Sequence, residues 1–253
     1  MIRLLCLATC IAAWAGTGPA VAADSLKACQ SKGADEAGVM ACVLGTCANP
    51  KLARDMRIEA CAQVADSKNA NQWERAIAHV HRGLIGRKSG QPDLVLADYF
   101  RAREAALSGS KPSEPNQPHH LAQTQAANAV EEFRRAIRSD LIVGVIGAED
   151  FIKKAEERGY RLRSLAYADR GLAYVEKGDM KRAIEDYYDA SFLVSPPGNS
   201  LHIDPIPLEA AKSAAQELRL AIEQRSKGIT VALDRDPLGP LRAQKHRICV
   251  NCR

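Results

Sequence analysis

The strongest constraint on this chain is that part of it occurs twice. Arg82-Gly83-Leu84 and Asp98-Tyr99 return 88 residues later as Arg170-Gly171-Leu172 and Asp186-Tyr187. In each copy the Arg-Gly-Leu stretch and the Asp-Tyr pair lie on successive segments with 3.6-residue apolar spacing. That spacing predicts helices over 73–88 and 92–107, broken by Ser89-Gly90-Gln91-Pro92. It predicts helices again over 162–177 and 180–194, separated by Gly178-Asp179 and closed by Pro196-Pro197-Gly198. A duplicated hairpin of this kind cannot bury its apolar face alone and has to stack on neighbours. The expected fold is therefore all-α: antiparallel helical hairpins forming a short solenoid. An apolar content of 46% with only 5% aromatics points the same way, to closely packed, Ala-rich helices.

The rest of the chain supplies material for that stack. Helical patterns are expected over 52–67, 121–138, 148–158 and 206–227. On the second of these, Val130, Phe133, Ala136 and Ile137 share one face. Leu141–Ile146 is a compact apolar run, read as buried helix or irregular packing because no strand offers itself as a partner. The stretch 108–120, with three prolines among small polar residues and ending in His119-His120, is a loop or linker.

The N-terminus reads as an export signal. Arg3 is followed by the short apolar stretch Leu4–Ala15, then Gly18-Pro19, then Ala20-Val21-Ala22-Ala23, and cleavage is expected after Ala22 or Ala23. About a dozen apolar residues are too few to span a bilayer, so no stable membrane insertion is expected after cleavage. A lipoprotein site at Leu7-Ala8-Thr9-Cys10 fits less well, because Thr before the Cys is unfavourable. The expected location is the periplasm or the medium. The formal charge is +5, and loss of Arg3 with the leader lowers it by one. Lys and Arg alternate with Asp and Glu throughout, the pattern of solvated helix faces, and no nucleic-acid signature is present.

Cleavage removes Cys6 and Cys10 and leaves six of the eight cysteines, an even number in an oxidising compartment. Cys29 to Cys42 and Cys47 to Cys61 form two similar units, each ending in Ala-Cys on an apolar helical face. Each unit can fold back on itself, so Cys29–Cys42 and Cys47–Cys61 are expected, leaving Cys249–Cys252. Loops of this size contribute about 3 kcal/mol in the chain-entropy account. A four-Cys zinc site competes less well, since the short knuckle spacing is missing.

Within 164–197, Tyr167, Gly171, Tyr174, Gly178-Asp179, Ala183, Tyr187, Ala190 and Pro196 fall at or within one residue of the spacing of a tetratricopeptide repeat (TPR). The earlier copy, about 76–109, departs from it with His79, Gly86 and Val95. Arg170 also departs, because a large apolar residue is usual there. With the Cys-bearing helix in front, the chain resembles exported TPR proteins of alphaproteobacteria over about half its length. The resulting organisation is a signal peptide (1–23), a Cys-rich helical cap (24–69), a degenerate TPR-like repeat (70–109), a Pro-rich linker (110–120), a helical segment (121–160), a TPR (161–197), and a C-terminal helix with a CxxC tail (198–253). The resemblance implies a groove lined by the first helix of each hairpin that binds another envelope protein or peptide. Aligned groove positions are Ile77, Val80, Leu84 and Arg87, then Leu165, Ala168, Leu172, Val175 and Glu176. The bland reading of Ile77, Leu165 and Leu172 is that they pack against a neighbouring helix. The residues with which some TPRs clamp a terminal carboxylate are missing, so that specificity is not implied.

No catalytic residue, metal site or cofactor is expected. His79 and His81 are two apart on a helix and face different ways, so they cannot act as an i,i+4 metal pair. No nucleophile elbow, P-loop or zincin pattern occurs. Cys249-Val250-Asn251-Cys252 is the one short motif capable of chemistry, and it supports an alternative reading as a thiol–disulfide redox protein or sensor. It lacks the βαβ setting of such enzymes, and a structural disulfide is the blander reading.

Overall fold

A computed structural model describes residues 29, 35–108, 120–194 and 206–234, with the side chains of the last helix described through Lys227. The described residues form helices and turns, with no strand among them. In chain order the helices are α1 (Glu36–Ala48), α2 (Arg54–Asp66), α3 (Gln72–Lys88), α4 (Pro92–Leu107), α5 (His120–Val143), α6 (Ala148–Glu156), α7 (Tyr160–Lys177), α8 (Met180–Leu193) and α9 (Leu208–Asp234). None of the described helices is long and apolar enough to cross a membrane. The chain forms two compact units, Met1–Phe133 and Arg134–Arg253, so the boundary falls inside α5.

Local chemistry sets most helix ends. Asn71 and Glu74 form a reciprocal capping box at the start of α3, each side chain accepting from the other residue's N–H at 2.9 Å. Pro92 opens α4 in the first turn, where its missing N–H costs nothing. Gly178, left-handed at φ 84°, ends α7, and Asp179 at once caps α8 by accepting from the Arg182 N–H at 3.3 Å. Gly90, also left-handed at φ 65°, sits 88 residues earlier, so the turn of the hairpin is duplicated with its helices. The ends of α2, α3, α4, α6, α7 and α8 fall within two residues of expectation, whereas α5 and α9 run on to Val143 and Asp234.

The run Leu141–Ile146 is the main departure from the expected burial. Gly144 at φ 78° ends α5, and the N–H groups of Val145 and Ile146 bond back to the Asp140 carbonyl at 2.9 and 3.3 Å. That turn directs only Ile146 inward. Val143 and Val145 are 68% and 66% exposed, so the run is a helix end and turn with an apolar tip.

In the first unit α1 packs on α2 and α3, α2 on α3, and α3 on α4. Cys29–Cys42 and Cys47–Cys61 are disulfides, with Cα separations of 5.7 and 4.8 Å, as their spacing led us to expect. They seal a core containing Val43, Ala60, Val64, Ala65, Ala78 and Ile85. Arg57 on α2 donates from Nε to the Cys47 carbonyl at 3.2 Å, satisfying an end group of α1. In the second unit α7 packs on α6, α8 and α9, and α8 on α9.

Two glycines set the close approaches. A Cβ on Gly83 would overlap the Phe133 ring and lie 3.3 Å from the Asp98 Cβ. A Cβ on Gly171 would overlap Leu218 and lie 3.1 Å from the Asp186 Cβ. Each duplicated glycine thus sits where the second helix of the hairpin and a large apolar side chain from a third helix converge. Phe133 of α5 and Leu218 of α9 are the third-helix residues, both fully buried. Phe133 also meets the Tyr99 ring edge-on, with centroids 5.5 Å apart.

Candidate functional site

The duplicated residues build the same object twice, a buried ion pair between the two helices of each hairpin. On α3, Arg82 donates from Nε to Oδ2 of Asp98 at 2.9 Å and from Nη2 to Oδ1 at 2.7 Å. On α7, Arg170 donates from Nε to Oδ2 of Asp186 at 3.1 Å and from Nη2 to Oδ1 at 2.8 Å. Asp98 and Asp186 are 0% and 2% exposed. A side-by-side guanidinium–carboxylate pair fixes two helices in both register and orientation, which an apolar contact does not. Arg170 also donates to the Ala148 carbonyl on α6 and lies over the Tyr167 and Tyr174 rings, 5.3 and 5.9 Å from their centroids. The residue that departs from the TPR pattern is therefore the one that joins α6, α7 and α8.

The copies differ in a third donor. His79 places Nδ1 2.9 Å from Oδ1 of Asp98, whereas its counterpart 88 residues on, Tyr167, contributes a ring beneath Arg170. Burial pushes the Asp98 carboxyl up, but the hydrogen bonds from His79 and Arg82 outweigh it and hold the group below its ordinary value of 3.8. Burial also pushes the Asp186 carboxyl up. With Asp189 and Glu149 adding negative field and no third donor, it stays above 3.8. The acid responses therefore have opposite signs. A depressed carboxyl contributes stability that is lost as pH falls below 3.8, and a raised one does not. Lowering the pH from 5 toward 3 is expected to cut hydrogen-exchange protection of α3–α4 more than that of α7–α8. Equal losses in the two hairpins would refute the assignment.

The aligned groove positions are not equivalent in the two copies. On α7, Leu165, Ala168, Leu172 and Val175 are all buried. Leu172 and Val175 pack in a cluster with Leu218, Ala221 and Ile222 of α9, so α9 of the same chain occupies that face. Glu176 is exposed and pairs with Arg138 at 3.5 Å. On α3, Val80 is buried, Ile77 and Leu84 are half-buried, and Arg87 is exposed. His81, half-buried on the same helix, has its pKa lowered by burial and by the nearby Arg57 charge. The structure thus keeps Ile77, Leu84 and Arg87 together at the surface of the first unit and places the matching positions of the second unit inside.

Sequence reasoning missed the clamps, although their signal was present. An Arg followed 16 residues later by an Asp occurs in both copies, and duplication of the charged residues together with the glycine marks a structural pair. The same reasoning missed two side chains on α8, Tyr188 and Phe192, which are 64% and 70% exposed. Cys249, Cys252 and His119 lie outside the described residues. Among the described residues, no three His, Cys, Asp or Glu side chains are grouped so as to hold a metal ion. No protein-family model, curated protein or solved structure matches this chain.

Proposed function

We propose that this chain is an exported, disulfide-stabilised helical-repeat protein of the TPR type that binds a segment of another envelope protein or peptide, without catalysis or a cofactor of its own. The observation that carries the reading is the unequal coverage of the two duplicated hairpins. The face of α7 is closed by α9, while the same face of α3 leaves Ile77 and Leu84 half-buried beside Arg87. A helix face that is apolar and only partly covered by the described residues is the kind of surface on which repeat proteins hold an extended or helical segment. The duplicated hairpin, its left-handed turn glycines and its third-helix contacts support the TPR assignment. Export is supported by the leader pattern and by two disulfides, which persist in oxidising compartments. The redox alternative has the Cys249–Cys252 motif alone in its support.

The test uses wild-type and Leu84→Glu proteins, each immobilised and exposed to a native periplasmic extract. The expected result is a defined set of proteins retained by wild type and lost from a Leu84→Glu variant with unchanged helical circular dichroism. Leu172→Glu is the contrast: Leu172 is 6% exposed, so the buried charge is expected to cost several kcal/mol and unfold the second unit. Identical retained sets for wild type and Leu84→Glu would remove α3 as the binding face. A well-folded Leu172→Glu protein would contradict the coverage by α9.

A further inference from the structure

The exposed side of α8 has a definite chemical character. Glu185, Tyr188, Asp189 and Phe192 follow the i, i+3, i+4, i+7 spacing of one helical face and are all exposed. The last turn of α8 carries no basic residue, so its C-terminal carbonyls add negative potential beside Asp189 and Phe192. Two aromatic rings bordered by Asp189, a helix C-terminus and Glu185, whose contact with the exposed Lys181 is a loose 4.0 Å, suit a segment that is both cationic and apolar.

Such a segment follows α9. Residues 235–253 contain five Lys or Arg against one Asp, interspersed with Leu238, Leu241, Ile248 and Val250. Its starting point is compatible with the face. Ser164 donates to the Ala190 carbonyl at 2.9 Å, which sets the end of α8 beside the start of α7. Arg161 donates to the Ile206 carbonyl at 2.5 Å, which sets the entry to α9 at that same end. The tail therefore leaves from the far end of α9, about 40 Å along that helix from the level of Phe192. Nineteen residues reach about 60 Å when extended, enough to return along α8.

We propose that segment 235–253 docks in cis on the acidic, aromatic face of α8, with its cations against Glu185 and Asp189 and its leucines against Tyr188 and Phe192. The docking covers the exposed face of α8 with residues of the same chain and does not depend on the binding function proposed above.

Lys245 is the only lysine in the segment, which permits a direct test on the full, oxidised chain. A zero-length carbodiimide joins Lys to Glu or Asp side chains in contact. An equal mixture of light and ¹⁵N-labelled protein distinguishes coupling within a chain from coupling between chains. Lys245 is expected to couple to Glu185 or Asp189 within one chain. The yield should fall about fivefold in roughly 0.5 M salt, where charge attraction is screened, and as far in Tyr188→Ser/Phe192→Ser. Both substituted residues are exposed, so unchanged circular dichroism is expected for the variant. Coupling of Lys245 mainly to other carboxylates, no coupling, or an unchanged yield in the double variant would overturn the proposal. A predominantly between-chain product would overturn it as well, by assigning the face to a second copy.

Discussion

Asp98→Ala is expected to lower stability of the first unit by about 3–5 kcal/mol, read from urea unfolding followed by circular dichroism. The carboxylate is fully buried and receives two hydrogen bonds from Arg82 and one from His79. Removing it leaves a guanidinium, 9% exposed at its side chain, with no counter-charge at that position. The loss is mainly the penalty of that stranded charge and not the worth of the pair, because transfer of both ions from water already offsets much of their attraction. Two comparisons separate these contributions. Asp186→Ala should cost less, since Arg170 keeps the Ala148 carbonyl, the Glu149 carboxylate at 3.7 Å and two aromatic rings. Replacing the whole pair, Arg82→Met with Asp98→Leu, should restore more than half of what Asp98→Ala loses, as apolar residues of similar volume often do. A double variant no more stable than Asp98→Ala would show that the clamp contributes net stability and not only register.

The clamps also show which parts of the fold were legible in the sequence. Helix ends were, because Pro92 and Gly178-Asp179 act locally and their chemistry is written in adjacent residues. The two disulfides were, because each closes a short segment, with sequence separations of 13 and 14. Burial between elements was less legible. Arg170 read as a departure from an apolar position because its partner is 16 residues away and the pair is recognisable only when both helices face each other. Leu165 and Leu172 read as groove or core, since periodicity gives the apolar face of α7 but not what covers it. For Leu172 that question was settled by Leu218 and Ile222, which lie in a helix with no repeat signature. Val143 and Val145 were expected inside because apolar runs usually are; Gly144 turns the chain before they can be buried. The proposed binding face on α3 narrows to Ile77, Leu84 and Arg87 only because α9 fills the equivalent face of the other copy.

Cys47→Ala/Cys61→Ala is the second change expected to act strongly, costing about 2–5 kcal/mol, whereas Cys29→Ala/Cys42→Ala should cost about 1–2 kcal/mol less. Loop closure does not distinguish them, since the bridges span sequence separations of 14 and 13. Each should contribute about 3 kcal/mol by the chain-entropy account. Burial does distinguish them. Cys47 and Cys61 are 0% exposed, while Cys42 is only partly buried. Alanines at 47 and 61 leave a void where two sulfurs packed against Val43, Ala60 and Val64, and a sealed core collapses only partly around such a void. Their bridge also holds the end of α1 on α2, where Arg57 reaches the Cys47 carbonyl, so its loss frees that hydrogen bond as well. Thermal unfolding of the two double variants beside wild type decides between the terms. A larger loss for Cys47/Cys61 places the contribution of the inner bridge in packing, with α1 detaching from α2 as the first step of unfolding. Equal losses would mean that both bridges act only on the unfolded chain and that the core beneath them is stable without sulfur.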